Sequence, residues 1–280
     1  MGNEEIEKSR NMLVVKENNL IQCASYRLTL EQQKFLCYVI SKVKPTDKEF
    51  QRYTISALDF AEICGIDKKN VYTVFKKMAE DFNDKKRWIK IGDNNILFSP
   101  FNEPEYNEKN GSITVILNSR LKKYLVGVGT KYTKYELWNI LSLKSKHSLR
   151  LYELFRSYSY QHEKEFAIED LKSLLCVEQY KNFADLKKRV LDKGIEEINI
   201  YTDLKVRYEI SETGRGGKVK KIIFYIDKKI HNDLLQAFVA TCDRINEKNG
   251  QIKGQLSFFD MEIEKEIRSK SMGYVEMKNK

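Results

Sequence analysis

A short stretch around residue 185 combines the residue types with which proteins read DNA bases. Its apolar residues Phe183, Leu186 and Val190 recur at helical spacing, which assigns one helix face to a core. Arginine and asparagine form paired hydrogen bonds with the edges of guanine and adenine, and lysine neutralises phosphates. The same composition also suits an ordinary solvated helix face, so the interpretation depends on the surrounding fold. The outward-facing candidates are Lys181, Asn182, Asp185, Lys188 and Arg189.

An earlier stretch has a similar pattern but offers no arginine. Its apolar face consists of Val71, Val74, Phe75 and Met78. Without arginine, we expect this helix to hold the DNA backbone more than to read bases. The candidates here are Lys68, Lys69, Asn70, Tyr72, Thr73, Lys76 and Lys77.

A third basic group surrounds the glycines at positions 214–217. Glycine lets the backbone approach a phosphate closely. The segment superficially resembles a nucleotide-binding loop, but it lacks the four-residue spacer between glycines and has Val219 in place of Ser or Thr. We therefore expect DNA phosphate contacts here and no nucleotide or other cofactor. The candidates are Arg215, Lys218, Lys220 and Lys221.

Enzymatic chemistry finds little support in the sequence. The three histidines, His147, His162 and His231, are well separated, so the paired-histidine metal site of a rolling-circle nickase cannot be built locally. The five cysteines include no CxxC pair for zinc or redox chemistry, and we expect them to be reduced and mostly buried. No GxSxG or paired-carboxylate motif stands out. We expect no catalytic residue, no metal and no enzymatic activity.

The candidate stretches occupy equivalent places in an internal repeat. Each copy has an amphipathic helix, then a short extended segment with a second helix, then a turn and a third helix. Thr29 is a suitable N-cap for the first of them. In aligning the copies, we match Ile55 with Ile168 and Leu58 with Leu171. The predicted helices fall within 28–40, 53–64 and 70–81, and within 148–158, 166–176 and 182–193.

Each third helix is followed by segments rich in β-branched residues. In the first copy we expect strands at 87–91 and 111–117, joined through a loop; in the second, strands at 206–210 and 221–226 around the glycine turn. Helix, helix, turn, helix and hairpin is the order of a winged helix. The sequence therefore predicts an α+β protein with two tandem winged-helix domains and a polar C-terminal tail.

Two glycines near residue 128 suggest the boundary between the copies. The expected division is an N-terminal arm (1–18), a first winged-helix domain for dimerisation and backbone contacts (19–130), a second for base readout (131–236) and a tail (237–280).

The overall charge agrees with a polyanionic partner. Fifty Lys and Arg residues against forty Asp and Glu leave a net charge of +10, and a basic surface favours binding to phosphates. The N-terminus, MGNEEIEKSR, lacks the apolar core of a signal peptide, and no apolar run approaches the length of a membrane span. We expect a cytoplasmic protein that binds double-stranded DNA and no membrane.

Three stretches resemble one known family. They begin at Asn19 (NLIQCASYRLTLEQQKFL), Leu141 (LSLKSKHSLRLYEL) and Phe183 (FADLKKRVLDKGIEEINIYTD). They are similar to the iteron-binding initiators of theta-replicating plasmids, over roughly residues 18–230. The resemblance implies two winged helices related by pseudo-symmetry, with the third helix of the second domain as the main base reader.

The resemblance also implies a mode of action. A monomer would bind short direct repeats at the origin, promote melting of an adjacent A+T-rich stretch and recruit host initiator and helicase proteins. A dimer, formed through the first domain, would repress its own promoter.

The tail contains one further motif. Residues 255–259 look like the short peptide with which bacterial proteins dock on the replication sliding clamp, although Phe258 replaces the usual leucine. Two exposed aromatics could fill a hydrophobic pocket, or the segment could fold onto the protein's own core. The residues concerned are Gln255, Leu256, Ser257, Phe258 and Phe259.

Two alternatives to an initiator remain open at this point. A transcription regulator would use the same DNA-binding domains without starting replication. A relaxase-type enzyme would nick its origin and is disfavoured because no local metal site can be built.

Overall fold

The predicted order of helices and strands occurs twice in the computed structural model, which describes residues 3–44, 46–66, 68–84, 87–91, 94–127 and 129–248. The first half contains α1 (Asn3–Arg10), β1 (Leu13–Glu17), α2 (Asn18–Gln22), β2 (Ala24–Ser25), α3 (Leu30–Ser41), β3 (Tyr53–Ser56), α4 (Ala57–Cys64), α5 (Val71–Asp84), β4 (Arg87–Ile91), β5 (Asn94–Phe98), β6 (Phe101–Asn107) and β7 (Ser112–Leu117). The second half contains α6 (Lys122–Leu125), β8 (Tyr132–Glu136), α7 (Trp138–Leu141), α8 (Lys146–Tyr158), β9 (Glu163–Ala167), α9 (Ile168–Leu175), α10 (Phe183–Leu186), α11 (Asp192–Tyr201), β10 (Leu204–Thr213), β11 (Val219–Lys228) and α12 (His231–Lys248).

Local side-chain chemistry explains where the helices of the first copy begin and end. Thr29 caps α3 as predicted: its hydroxyl accepts from the Gln32 backbone N–H at 3.2 Å, and the Gln32 side chain accepts from the Thr29 N–H at 3.1 Å. Ser56 caps α4 in a similar way, and Gly65 ends that helix in the left-handed conformation at φ 59°. In the second copy Cys176 occupies the equivalent left-handed position at φ 53°.

The alignment of the two copies made from the sequence is wrong by two residues. Strand β3 ends at Ser56 and β9 ends at Ala167, which pairs Ile55 with Phe166 instead of Ile168. Leu58 does not match Leu171, because it lies on the solvent side of α4 and is 43% exposed. The sequence alignment matched Leu58 on its hydrophobicity, although Leu58 is not part of the core.

The first hairpin was also assigned wrongly. Strand β4 pairs with β5 and β2, whereas β7 pairs with β6 and β3, so the two strands expected to face each other belong to different sheets. The segment expected to be a loop forms β5 and β6. These strands are closer along the chain, and β5 pairs with β4 while β6 pairs with β7. The first wing is therefore the β6–β7 hairpin. The second wing is the β10–β11 hairpin, as predicted, and β9 completes its sheet.

The two copies pack on a continuous core. Strand β1 pairs antiparallel with β8, so the N-terminal arm is part of the fold. Beside this pairing, the buried Glu153 carboxylate of α8 accepts hydrogen bonds from Lys16 Nζ at 2.5 Å and from Tyr135 OH at 2.7 Å. Burial opposes the charge of Lys16, but the neighbouring Cys37 sulfur and Glu153 carboxylate raise the pKa of Lys16 above its ordinary value. The domain division itself stays a prediction.

The sequence assigned residues from 237 onward to a polar tail, but residues 237–248 belong to a helix. Helix α12 continues to Lys248, and it buries Phe238 and Cys242 against Trp138, with Ile245 also in the core. Polar residues on the outer face hid this amphipathic pattern. The clamp-like residues 255–259 lie outside the described residues.

Candidate nucleic-acid interface

The third helix of the second copy is one continuous helical run, residues 183–201, called the reading helix below. It comprises α10, a π-helical turn at Lys187–Leu191, and α11. A π turn contains an extra residue, so both Val190 and Leu191 fall on the buried side, and Leu186 lies on the turn before them. Between Leu186 and Val190 stand three consecutive exposed cations, Lys187, Lys188 and Arg189.

Asn182 caps the reading helix. Its Oδ1 accepts from the Asp185 backbone N–H at 2.8 Å, and its Nδ2 donates to Asp185 Oδ2, also at 2.8 Å. Both ends of the amide are therefore engaged within the protein. Lys181 precedes the cap and is exposed.

Asp185 also contacts the arginine of the set. Its Oδ1 lies 3.8 Å from Arg189 Nε, one helical turn away, while the Arg189 side chain remains mostly exposed. A carboxylate at this position attracts the guanidinium through Nε and leaves the terminal nitrogens for another partner.

Asp192 joins the reading helix to the wing and also binds Lys187, which the sequence reasoning missed. Lys187 Nζ donates to Asp192 Oδ2 at 2.8 Å, and Tyr208 OH on β10 donates to Asp192 Oδ1 at 2.6 Å. The hydrogen bond to Asp192 raises the pKa of Lys187. Burial, together with the Asp192 contact, raises the pKa of Tyr208 to about 12. Helix and wing therefore form one surface.

The tip of the second wing carries exposed cations on a glycine turn. Gly216 and Gly217 adopt φ of 72° and 74°, a conformation that other residues rarely take. No described carboxylate lies within ion-pair distance of the exposed Arg215 and Lys218. Closer to the sheet, Lys220 and Lys221 both approach Glu212, at 3.6 and 3.1 Å.

In the first copy, the predicted contact residues lie on a 3₁₀ turn at Lys68–Asn70 and on the exposed side of α5, which carries Thr73 and Lys77. Lys68 lies 3.3 Å from Glu62, and Lys76 lies 2.7 Å from Glu108 at the wing turn. The hydrogen bond from Lys76 holds the pKa of Glu108 below its usual value.

The groove between α5 and the first wing is more acidic than the sequence analysis expected. The wing carries the exposed Glu103, Glu105 and Glu108, which were overlooked because this segment was interpreted as a loop. The groove-lining residues are Tyr72, Thr73, Lys76, Lys77, Glu80, Asp81, Tyr106 and Glu108. The basic character predicted for this face is therefore partly neutralised.

The described residues contain neither a candidate metal site nor a membrane-spanning helix. No group of three or more His, Cys, Asp or Glu side chains there is arranged to hold a metal ion. In that same part of the chain, no helix combines the length and apolar character needed to cross a membrane.

Comparison with family models gives two matches. Residues 13–156 match the model described as Initiator Replication protein, WH1, and residues 167–226 match Initiator Rep protein, WH2.

The chain is also similar to individual proteins. An uncharacterized 27.6 kDa protein of Escherichia coli is 25% identical over 221 residues, covering 72% of this chain and 91% of that protein. A replication initiation protein of Escherichia coli is 22% identical over 237 residues, covering 80% of this chain and 72% of that protein. The Pi initiator protein, crystallised in complex with iteron DNA, has the same fold: the TM-score is 0.63 at 19% identity, over 79% of this chain and 98% of the other.

Proposed function

This chain belongs to the family of iteron-binding plasmid replication initiators, and we propose that it binds repeated sites of a plasmid origin and starts replication there. The observation that carries the proposal is the capped reading helix, which presents Lys187, Lys188 and Arg189 beside a basic wing tip. The fold relative crystallised with iteron DNA supports this ligand.

On the reading helix, we assign base recognition to Arg189. Its terminal nitrogens have the geometry for paired hydrogen bonds with a guanine edge, and Asp185 orients the guanidinium through Nε. Asn182 has a different role from the adenine reader expected from the sequence. Because both ends of its amide hold the helix cap, it positions Asp185.

The other cations hold phosphates. Lys181 and Lys188 flank the reader, and Arg215, Lys218 and Lys220 reach the backbone from the wing. The first copy supplies weaker backbone contacts, because glutamates already engage Lys68 and Lys76. The residues assigned to these contacts are Lys69, Asn70, Thr73 and Lys77.

The later steps follow from family membership. After binding, the protein promotes opening of an A+T-rich stretch and recruits host initiator and helicase proteins. It dimerises through the first copy and represses its own promoter. Separately from the family resemblance, and from the motif alone, we propose that the peptide at 255–259 docks on the sliding clamp.

Binding to cognate and shuffled duplexes tests the DNA-reading assignment. Arg189→Ala should weaken binding to the cognate repeat by roughly 5- to 150-fold and have little effect on shuffled DNA. Lys218→Ala, the matched control, should weaken binding to both DNAs alike and reduce the slope of log K against log salt by about one. Equal losses on both DNAs for Arg189→Ala would remove it as the reader.

A replication assay separates the initiator from the alternatives. A plasmid that carries the origin should be maintained only when this protein is supplied. A repressor that supports no replication would indicate a transcription regulator. A covalent protein–DNA product on supercoiled origin DNA with a divalent metal would indicate a relaxase.

A further inference from the structure

An arginine of the C-terminal helix is buried with no hydrogen-bond acceptor for its terminal nitrogens. Arg244 on α12 is 8% exposed, and both terminal nitrogens are enclosed with no hydrogen-bond acceptor. Its guanidinium lies 4.6 Å from the centre of the Tyr201 ring, a contact that provides no acceptor for those N–H groups. An unpaired buried charge is strongly unfavourable, so this group requires an explanation.

Two lysines converge on the same seam. Lys34 on α3 is buried and donates to the Leu141 carbonyl at 2.5 Å. Lys248 lies one turn beyond Arg244 and packs over the end of α4, where its Cδ would be 3.4 Å from a Cβ placed on Gly65. Burial lowers the pKa of Lys34 to about 8, and burial and Arg244 lower the pKa of Lys248.

The nearby carboxylates supply no hydrogen-bond acceptor to the terminal nitrogens of Arg244. Glu197 on α11 is engaged elsewhere, since its Oε2 accepts the Lys144 backbone N–H at 2.9 Å. Neither Glu31 on α3 nor Glu247 on α12 accepts a hydrogen bond from the terminal nitrogens of Arg244. Arg244, Lys34 and the exposed Lys248 are therefore near enough to one another for their positive charges to interact, between the first copy and the C-terminal helix.

We propose that this seam binds a tetrahedral oxoanion of the phosphate class, held by Arg244, Lys248 and Lys34. A guanidinium presents a planar fork that matches two oxygens of a phosphate, and the ammonium groups add charge. The bound anion would join α12 to α3 and α4. This site is separate from the proposed DNA surface and does not depend on it.

Thermal unfolding of the full chain tests the site, with inorganic phosphate compared with chloride at equal ionic strength. Binding to the folded state alone should give a saturable increase in Tm, on the order of 5 °C at about 100 times the Kd. Repeating the titration with AMP distinguishes free phosphate from a nucleotide as the source, because the better ligand gives the larger increase.

Substitutions connect the effect to these residues. Arg244→Met should abolish the phosphate effect and increase Tm in chloride, because it replaces an unpaired buried charge by an apolar side chain. Lys248→Met should reduce the effect. Arg120→Met, which removes an exposed arginine away from the seam, is the matched control and should retain it.

Three results would overturn the assignment. One is the same Tm for the wild-type chain in phosphate and chloride. Another is equal loss of the phosphate effect in Arg120→Met and Arg244→Met. The third concerns a variant that combines Glu262→Gln, Glu264→Gln and Glu266→Gln. If this variant has a lower Tm and a larger phosphate effect than the wild-type chain, the ligand of Arg244 is the chain's own carboxylates and not a phosphate.

Discussion

Replacement of Asp185 by asparagine tests whether the reading helix orients its arginine. In the structure, Asp185 Oδ2 accepts from Asn182, and Oδ1 lies 3.8 Å from Arg189 Nε. Asparagine keeps an acceptor for Asn182 at nearly the same size but removes the charge that attracts the guanidinium. We expect the fold to be retained and Arg189 to lose its preferred orientation.

The expected magnitude has two parts of opposite sign. Ordering a long side chain during binding costs about 0.5–1.5 kcal/mol, so a disordered Arg189 should weaken cognate binding by about 2- to 10-fold. Removing the carboxylate also removes repulsion from DNA phosphates, which at roughly 8 Å in water is about 0.5 kcal/mol, or about 2-fold, on any sequence. Binding to shuffled DNA should thus strengthen about 2-fold, while the ratio of cognate to shuffled affinity falls about 2- to 10-fold.

Fluorescence anisotropy on cognate and shuffled duplexes at fixed salt measures both affinities. The decisive comparison adds Asp185→Asn to Arg189→Ala. In this background Asp185→Asn should no longer lower the ratio of cognate to shuffled affinity, because the arginine that Asp185 positions is absent. If the ratio still falls in that background, or if Asp185→Asn strengthens binding to both duplexes equally, Asp185 does not act through Arg189.

Three further substitutions test the groups that support the site and the core. Asn182→Ala should lower the free energy of unfolding, measured in urea, by about 1 kcal/mol, whereas Asn182→Asp should retain the cap. If Asn182→Ala leaves stability unchanged but abolishes discrimination for adenine, Asn182 reads a base. Lys16→Met should cost about 3–5 kcal/mol because it leaves the Glu153 carboxylate buried without its closest cation, and adding Glu153→Leu should restore part of that stability; a double variant less stable than the single one would contradict this. Burial lowers the pKa of His147 to about 4, below its unfolded value of about 6.5, so its contribution to stability is present above pH 6.5 and is lost as the pH falls toward 4. His147→Gln should flatten that acid slope, and an unchanged slope would exclude His147 as its source.

Local signals in the sequence were sufficient for much of the fold. The Thr29 cap, the start of the reading helix and the glycine turn of the second wing all depend on short-range chemistry, and the structure confirms each of them. Gly216 and Gly217 illustrate the reason: only glycine readily adopts their positive φ, so the turn can be located from residue type alone. The predicted end of the reading helix near residue 193 is wrong, because the helical run continues to Tyr201.

Features that depend on pairing partners could not be obtained in this way. Strands β4 and β7 have the composition of a hairpin, but which strand pairs with which is decided by β5 and β6 between them. Similarly, the role of Asn182 depends on which atoms its amide contacts, and outward position alone suggested a base reader. The π turn at Lys187–Leu191 left a clear trace, the adjacent apolar pair Val190 and Leu191, which a strict helical period does not explain.

The two copies share a scaffold but differ in the charge of the wing, and this difference implies a division of labour. The second wing presents Arg215 and Lys218 at its tip. The first wing presents Glu103, Glu105 and Glu108 next to its third helix, and two of these neutralise cations: Glu105 pairs with Arg52 and Glu108 with Lys76. Because phosphates repel carboxylates, an orientation that brings the first wing close to the DNA backbone is less favourable than the equivalent orientation of the second. We therefore propose that the two copies do not bind DNA equally. In this proposal the second copy binds and reads DNA, and the surface of the first opposes a protein partner less than it opposes a DNA duplex.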